Sequence, residues 1–265
     1  VAPGATATGR WPVGTGTAEV LADEDTPGAW MLLVDDVPQS SVDPSDPTAI
    51  GFDYVRTLAD VVDVMAPPGQ PIRAVHLGAG ALSLARYVAA SRPRSRQLAI
   101  EVDPQLAALV RERFGVPEGT RLRVQDARAA VPGLRPNSHD LVVDDAFVAG
   151  IAPGGLGGVS ALTGIARVLA PGGLFAVNLS RAGPGSNEVV RARLAAVLAV
   201  FPEVCLAGAP RVVKGRTAGN LVVVGSATPL PLEALAARLS RRARPVQLMT
   251  GPEIRDVVAD TAALP

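Results

Sequence analysis

The sequence predicts an α/β chain: a doubly wound, mainly parallel sheet, Rossmann-like, preceded by a small N-terminal antiparallel β-sheet. Three observations predict it. From about residue 72, short apolar runs alternate with segments whose apolar residues recur at helical spacing, as in strands joined by crossover helices. Leu141-Val142-Val143 is wholly apolar, as expected of a strand covered on both faces. Before residue 50, the apolar runs are separated by short turn-rich segments instead, which is a hairpin signal.

Residues 1–16 are rich in Gly, Ala, Thr and Pro and read as a flexible tail. Residues 17–50 read as a β-hairpin region: Ala18–Leu21 and Trp30–Val34 flank the turn-rich segment at 23–28. Asp35-Asp36 then turns the chain into a third strand at 37–42. Residues 51–265 read as one α/β domain. Phe52, Val55, Leu58, Ala59, Val62 and Met65 mark a helix that Pro67-Pro68-Gly69 ends. Strands follow at 72–77, 97–102, 122–125 and 141–143, with helices at 82–90 and 104–114. A helix at 161–169, a turn at Pro171-Gly172-Gly173, a strand at 174–179 and a helix at 188–201 come next. Runs at 204–207 and 221–224 read as closing strands, and 232–242 as a last helix.

Composition limits the function classes. Hydrophobic residues make up 48% of the 265 but aromatics only 3%, so the core must be built mostly from Ala, Val and Leu. Lys+Arg and Asp+Glu both number 25, which argues against a general nucleic-acid or membrane-surface binder. Cys205 is the single cysteine, so an intrachain disulfide and a Cys-rich zinc site are excluded, and no metal is expected. The sequence shows neither a basic-then-apolar leader nor an apolar run of bilayer length, so a cytoplasmic enzyme is the expectation.

In an open parallel sheet, ligands bind beyond the carboxyl ends of the strands. Four predicted strand ends carry suitable residues: Gly78 and Gly80, Glu101 and Asp103, Asp126, and Asp144-Asp145. A glycine turn lets backbone approach a ligand, and an acid ending the next strand can accept from two ribose hydroxyls. The ordered set points to a nucleoside. A dinucleotide fits less well, because Ser83 stands where the fingerprint wants its third glycine. Glu101 suits the ribose diol, with helix capping as its structural alternative; Asp103 is the better cap for the helix after Pro104. Asp126, followed by Ala127, suits an adenine amino group, with a solvated loop acid as the alternative. Asp144 and Asp145 would repel one another, raising one pKa, and would attract a cationic amine; a capping loop is their alternative. His76, inside an apolar strand, reads as a satisfied core histidine, His139 as a loop residue and Cys205 as buried and inert. The Arg-rich stretch 238–244 reads as a solvated helix face, with binding of an acidic partner as its alternative.

This motif order resembles class I S-adenosylmethionine-dependent enzymes and, within them, the spermidine synthase (aminopropyltransferase) family. Val34-Asp35-Asp36-Val37-Pro38-Gln39 is similar to that family's Leu-Asp-Gly-x-x-Gln, and Tyr54 stands in a segment similar to its Tyr-x-Glu. Asp140-Leu141-Val142-Val143-Asp144-Asp145 is similar to its Asp-Val-Ile-Ile-x-Asp, and the N-terminal sheet fits too. The resemblance implies that Asp145 helps deprotonate the attacking amine, with Asp144 and Tyr54 beside it. Gln39 and Tyr54 would line the donor and amine pocket, Glu101 would hold ribose and Asp126 adenine. Arg56 stands where the family has the Glu of Tyr-x-Glu, and Ala81 where it has the turn aspartate. The expected function is transfer of an aminopropyl group from decarboxylated S-adenosylmethionine to a small-molecule amine. A methyltransferase using S-adenosylmethionine and a non-catalytic nucleoside-binding protein are the alternatives. Neither nucleic acid nor membrane is an expected partner, and a homodimer is left open.

Overall fold

The computed structural model describes residues 8–24, 26–146, 156–181 and 187–265; the first seven residues of the expected tail and Asp25 of the first turn lie outside them. Strands β1 (Gly9–Val13), β2 (Gly16–Ala22), β3 (Trp30–Val34) and β4 (Val37–Val42) form an antiparallel sheet in that order. Asp35 and Asp36 join β3 to β4 at φ 48° and 63°. Two consecutive left-handed residues are what a two-residue hairpin turn demands, and Asp tolerates them better than most. Strand β1 departs from the expected tail through residue 16. Gly9–Val13 pairs with β2, Trp11 opposite Ala18, and the Arg113 guanidinium lies 4.8 Å from the Trp11 ring centroid. Pro12 and the glycines disguise the strand in the sequence. At an edge, where one side of the ladder is unpaired, proline is tolerated.

The second sheet is built from α1 (Asp53–Val64), β5 (Arg73–Leu77), α2 (Ser83–Ser91), β6 (Arg96–Glu101), α3 (Pro104–Arg113), β7 (Thr120–Val124) and the short α4 (Ala127–Ala130). It continues through β8 (His139–Asp144), α5 (Val159–Val168), β9 (Leu169–Arg181), α6 (Asn187–Val200) and β10 (Glu203–Gly208). The short α7 (Pro210–Val213), β11 (Gly219–Ser226), α8 (Leu232–Leu239), β12 (Gln247–Thr250) and α9 (Gly251–Val258) complete it. The eight strands run in the order β12-β10-β11-β9-β8-β5-β6-β7. The pairs β5/β6, β5/β8, β6/β7 and β8/β9 are parallel. The pairs β9/β11, β10/β11 and β10/β12 are antiparallel. Chain order therefore reverses beside β5, and the crevice at its carboxyl end is where such sheets bind ligands.

Alternation along the central strands divides the core into two layers. Val75, Leu77, Val142, Phe175 and Val177 face α5, α6 and α9, while Ala74, Leu141, Val143, Leu174 and Ala176 face α1, α2 and α8. A third apolar cluster joins the N-terminal sheet (Val20, Leu32, Val34) to α3 and to Ala81 and Leu82 of the glycine turn. The expected turn at Pro171-Gly172-Gly173 falls inside the span of β9, and the last expected helix stops at Leu239. Strand β12 and α9 were not anticipated, although Thr250 and Glu253 form a complete capping box there. Arg92, 1% exposed, donates to the carbonyl oxygens of Val62, Asp63, Ala66, Pro67 and Gln70. One guanidinium thus satisfies the orphan carbonyls at the end of α1 and fixes the turn leading into β5.

Candidate active site

The carboxyl ends of β5, β6 and β8 open onto a cavity of about 1060 Å³ whose lining includes Gly78, Gly80, Glu101, Asp126 and Asp145. At the end of β5 the Gly78 N–H donates to Ile100 O (2.9 Å), and the Asp145 N–H donates to Leu77 O (2.9 Å). Gly78 sits at φ 88°, and a Cβ there would collide with the backbone carbonyl of Asp145. Only glycine lets β8's end pass so close. Gly80, at φ 47°, lies against Ser40, whose hydroxyl accepts from the Ala81 N–H (2.9 Å). The Ala81 side chain is fully buried in the cluster under the N-terminal sheet and does not line the cavity.

Glu101 is buried at the end of β6. One of its oxygens accepts from the Ala79 N–H (3.2 Å) and the other from the Asp103 N–H (3.0 Å). Burial raises its pKa, and these backbone donors oppose the rise. Both oxygens keep lone pairs, so the carboxylate can still accept from hydroxyls. Asp103 caps α3 through the N–H groups of Gln105 and Leu106, as expected, and also accepts from the Thr15 N–H and hydroxyl (2.7 and 2.8 Å). Asp126 caps α4 through the Arg128 N–H (2.8 Å) and forms an ion pair with the Arg128 side chain (2.6 Å), which holds its pKa low. It lines the cavity together with Ala127, so its capping role and its place in the site coexist. Gln39 reaches the cavity from β4, its amide nitrogen donating to Val37 O (3.2 Å).

Asp145 is the best-supported carboxylate of the site. The Tyr54 hydroxyl, from α1, donates to one oxygen (3.1 Å), and the Asn178 amide, from β9, donates to the other (2.8 Å). Asn220 of β11 donates in turn to Asn178 Oδ1 (3.0 Å), which fixes the Asn178 amide with its nitrogen toward Asp145. Burial pushes the Asp145 pKa up from 3.8 to about 7, against the pull of the two donors; the charge of Asp144 adds least. Burial also raises the Tyr54 pKa, so Tyr54 stays protonated and donates. Asp144 requires a correction. Alternation along β8 turns its side chain to the opposite face, where it is 3% exposed, absent from the cavity lining, and paired with Arg193 of α6 (3.1 Å). It holds α6 against the sheet and is not positioned to touch a ligand in the cavity.

Asn178 and Asn220 escaped the sequence reading. Their signal is the polar residue inside an apolar strand, in Ala176-Val177-Asn178-Leu179 and Asn220-Leu221-Val222, where an unpaired amide would be costly. His76 borders the cavity but behaves as a core residue. Its Nε2–H donates to Gln97 Oε1 (2.8 Å), and burial lowers its pKa to about 4, leaving it neutral at pH 7. His139 contacts Ser138 at the start of β8, and Cys205 is buried, its thiol pushed up to about 12. Among the described residues, no three His, Cys, Asp or Glu side chains converge as a metal site, and no helix is long and apolar enough to cross a membrane.

No family model matches the sequence. The polyamine aminopropyltransferase of Neisseria meningitidis serogroup A is 29% identical over 136 residues, which is 50% of this chain and 51% of that protein. The chain thus spans about half the length of the curated relatives it matches. The crystal structure of a probable spermidine synthase from Corynebacterium glutamicum superposes with a TM-score of 0.88 at 29% identity, covering 97% of this chain and 95% of that one. Spermidine synthase from Thermotoga maritima shares the fold, with a TM-score of 0.65 at 14% identity over 97% and 84% of the two chains. The two-sheet architecture and the sequence similarity point the same way: the chain is similar to the spermidine synthase (aminopropyltransferase) family and has a class I S-adenosylmethionine-dependent methyltransferase-like scaffold.

Proposed function

We propose that the chain is an aminopropyltransferase that takes decarboxylated S-adenosylmethionine as donor and a small-molecule amine as acceptor. The observation that carries this reading is Asp145: a half-buried carboxylate in the cavity, held by Tyr54 and Asn178, with a pKa near 7. A group that titrates there accepts a proton readily at neutral pH. Glu101, the Gly78–Gly80 turn, Asp126 with Ala127, and Gln39 line the same cavity and suit the nucleoside end of the donor. In the proposed step the amine lone pair attacks the methylene carbon bound to the sulfonium. The carbon–sulfur bond breaks and its electron pair stays on sulfur, giving neutral methylthioadenosine. The proton displaced from the new ammonium goes to Asp145. The site contributes orientation and a base, while the leaving sulfonium supplies the driving force.

Turnover with decarboxylated S-adenosylmethionine and a panel of amines, read as methylthioadenosine release, tests the proposal. Release with this donor and none with S-adenosylmethionine is expected. S-adenosylhomocysteine formed from S-adenosylmethionine would identify methyl transfer instead. Calorimetry showing that neither nucleoside binds would refute both reactions and leave a protein that kept only the fold.

A further inference from the structure

A second cavity, about 280 Å³, adjoins the first; Arg56, Arg241 and Arg242 line both. Its wall also holds Ile50, Ala59, Asp60, Tyr87 and Arg238. The charges do not cancel. Asp60 accepts from Arg238 (3.1 Å) and Arg242 (2.7 Å), and Asp63 pairs with Arg238 while accepting from the Tyr87 hydroxyl (2.8 Å). The two carboxylates are thus engaged by Arg238 and Arg242. Arg56 donates to the Ile50 carbonyl, and neither Arg56 nor Arg241 has a carboxylate partner among the described residues. In the main cavity Arg244 is paired with Asp53 and Arg128 with Asp126. Arg56 and Arg241, both exposed, therefore stand without an ion-pair partner among the described residues where the two cavities meet.

We infer that this annex binds an anionic group on the acceptor, so that the acceptor is an amine carrying a carboxylate or phosphate and not a free diamine. The inference rests on the reading that Asp145 receives the proton of the attacking amine. A diamine reaching into the annex would bring a second ammonium against Arg56 and Arg241 as like charges. A carboxylate or phosphate would instead receive charge-assisted hydrogen bonds from guanidiniums whose forked donors fit planar oxyanions.

The test is calorimetric titration of the whole chain, saturated with methylthioadenosine, with 4-aminobutanoate, O-phosphoethanolamine and putrescine. At least one anionic amine is expected to bind ten-fold or more tightly than putrescine, and the preferred one tells carboxylate from phosphate. Arg56→Glu and Arg241→Glu should each remove most of that preference, with an unchanged thermal unfolding midpoint showing that the variants are folded. Putrescine binding as tightly as both anionic amines, no measurable binding of any amine, or variants that keep the native preference would each overturn the inference. Failure of methylthioadenosine to bind strikes the proposed transferase instead; the amine titrations, repeated without it, then still decide the annex.

Discussion

Asp145→Asn separates the chemical role of this carboxylate from its structural one. The asparagine is isosteric: its oxygen can accept from Asn178 and its amide can donate to the Tyr54 oxygen, while the Tyr54 hydroxyl proton must turn to another acceptor in the cavity. Transfer should be abolished, because an amide takes no proton at neutral pH. Stability should rise, with a defined pH dependence. The folded carboxyl holds its proton up to about pH 7, whereas in the unfolded chain it ionises near 3.8. Between those values the folded state binds more protons, so raising the pH destabilises the native protein, and the penalty is complete above pH 7. At 1.36 kcal/mol per pKa unit, the variant should exceed the native protein by about 4 kcal/mol at pH 8 and about 2 kcal/mol at pH 5. Water in the open cavity reduces both figures. Urea unfolding of the two proteins at each pH gives the comparison. An advantage that does not grow by at least ~1 kcal/mol between pH 5 and pH 8 would refute the buried-carboxylate account, and an unchanged transfer rate would refute the base.

Tyr54→Phe removes one of the two side-chain donors that favour the ionised form of Asp145. The rising limb of the pH–rate profile, expected near pH 7 for the native protein, should move up by about one unit; an unmoved limb would mean that Tyr54 does not act through this carboxylate. Arg92→Met leaves the carbonyls of Val62, Asp63, Ala66, Pro67 and Gln70 without their shared donor. It should cost about 3–5 kcal/mol in urea unfolding, and a loss under ~1 kcal/mol would show that water replaces the guanidinium.

What is legible in the sequence is whatever carries a local signature. The alternating strands and helices, the glycine turn and the strand-end acids Glu101, Asp126 and Asp145 each follow from the residues around them. The strand at Gly9–Val13 is hidden because its composition is that of a tail and only its pairing with β2 makes it a strand. Asp144 and Asp145 look equivalent as neighbours, and only the alternation along β8 and the presence of Arg193 on the far face divide their roles. Asn178 and Asn220 lie about 30 or more positions from Asp145 along the chain, so their contact depends on the antiparallel register of β9 and β11, which no short window contains.

The N-terminal sheet is hydrogen-bonded to the glycine turn and to the segment that follows β6. Ser40 accepts from Ala81, the Ser83 hydroxyl donates to the Ser41 carbonyl, and Thr15 donates to Asp103 just beyond Glu101. These bonds join the two sheets across the rim of the cavity, so the proposed nucleoside end of the site is a seam and not a groove cut into one domain. A seam of this kind couples folding to function: neither sheet alone carries a complete binding surface, and the chain acquires its cavity only in the step that docks one sheet on the other.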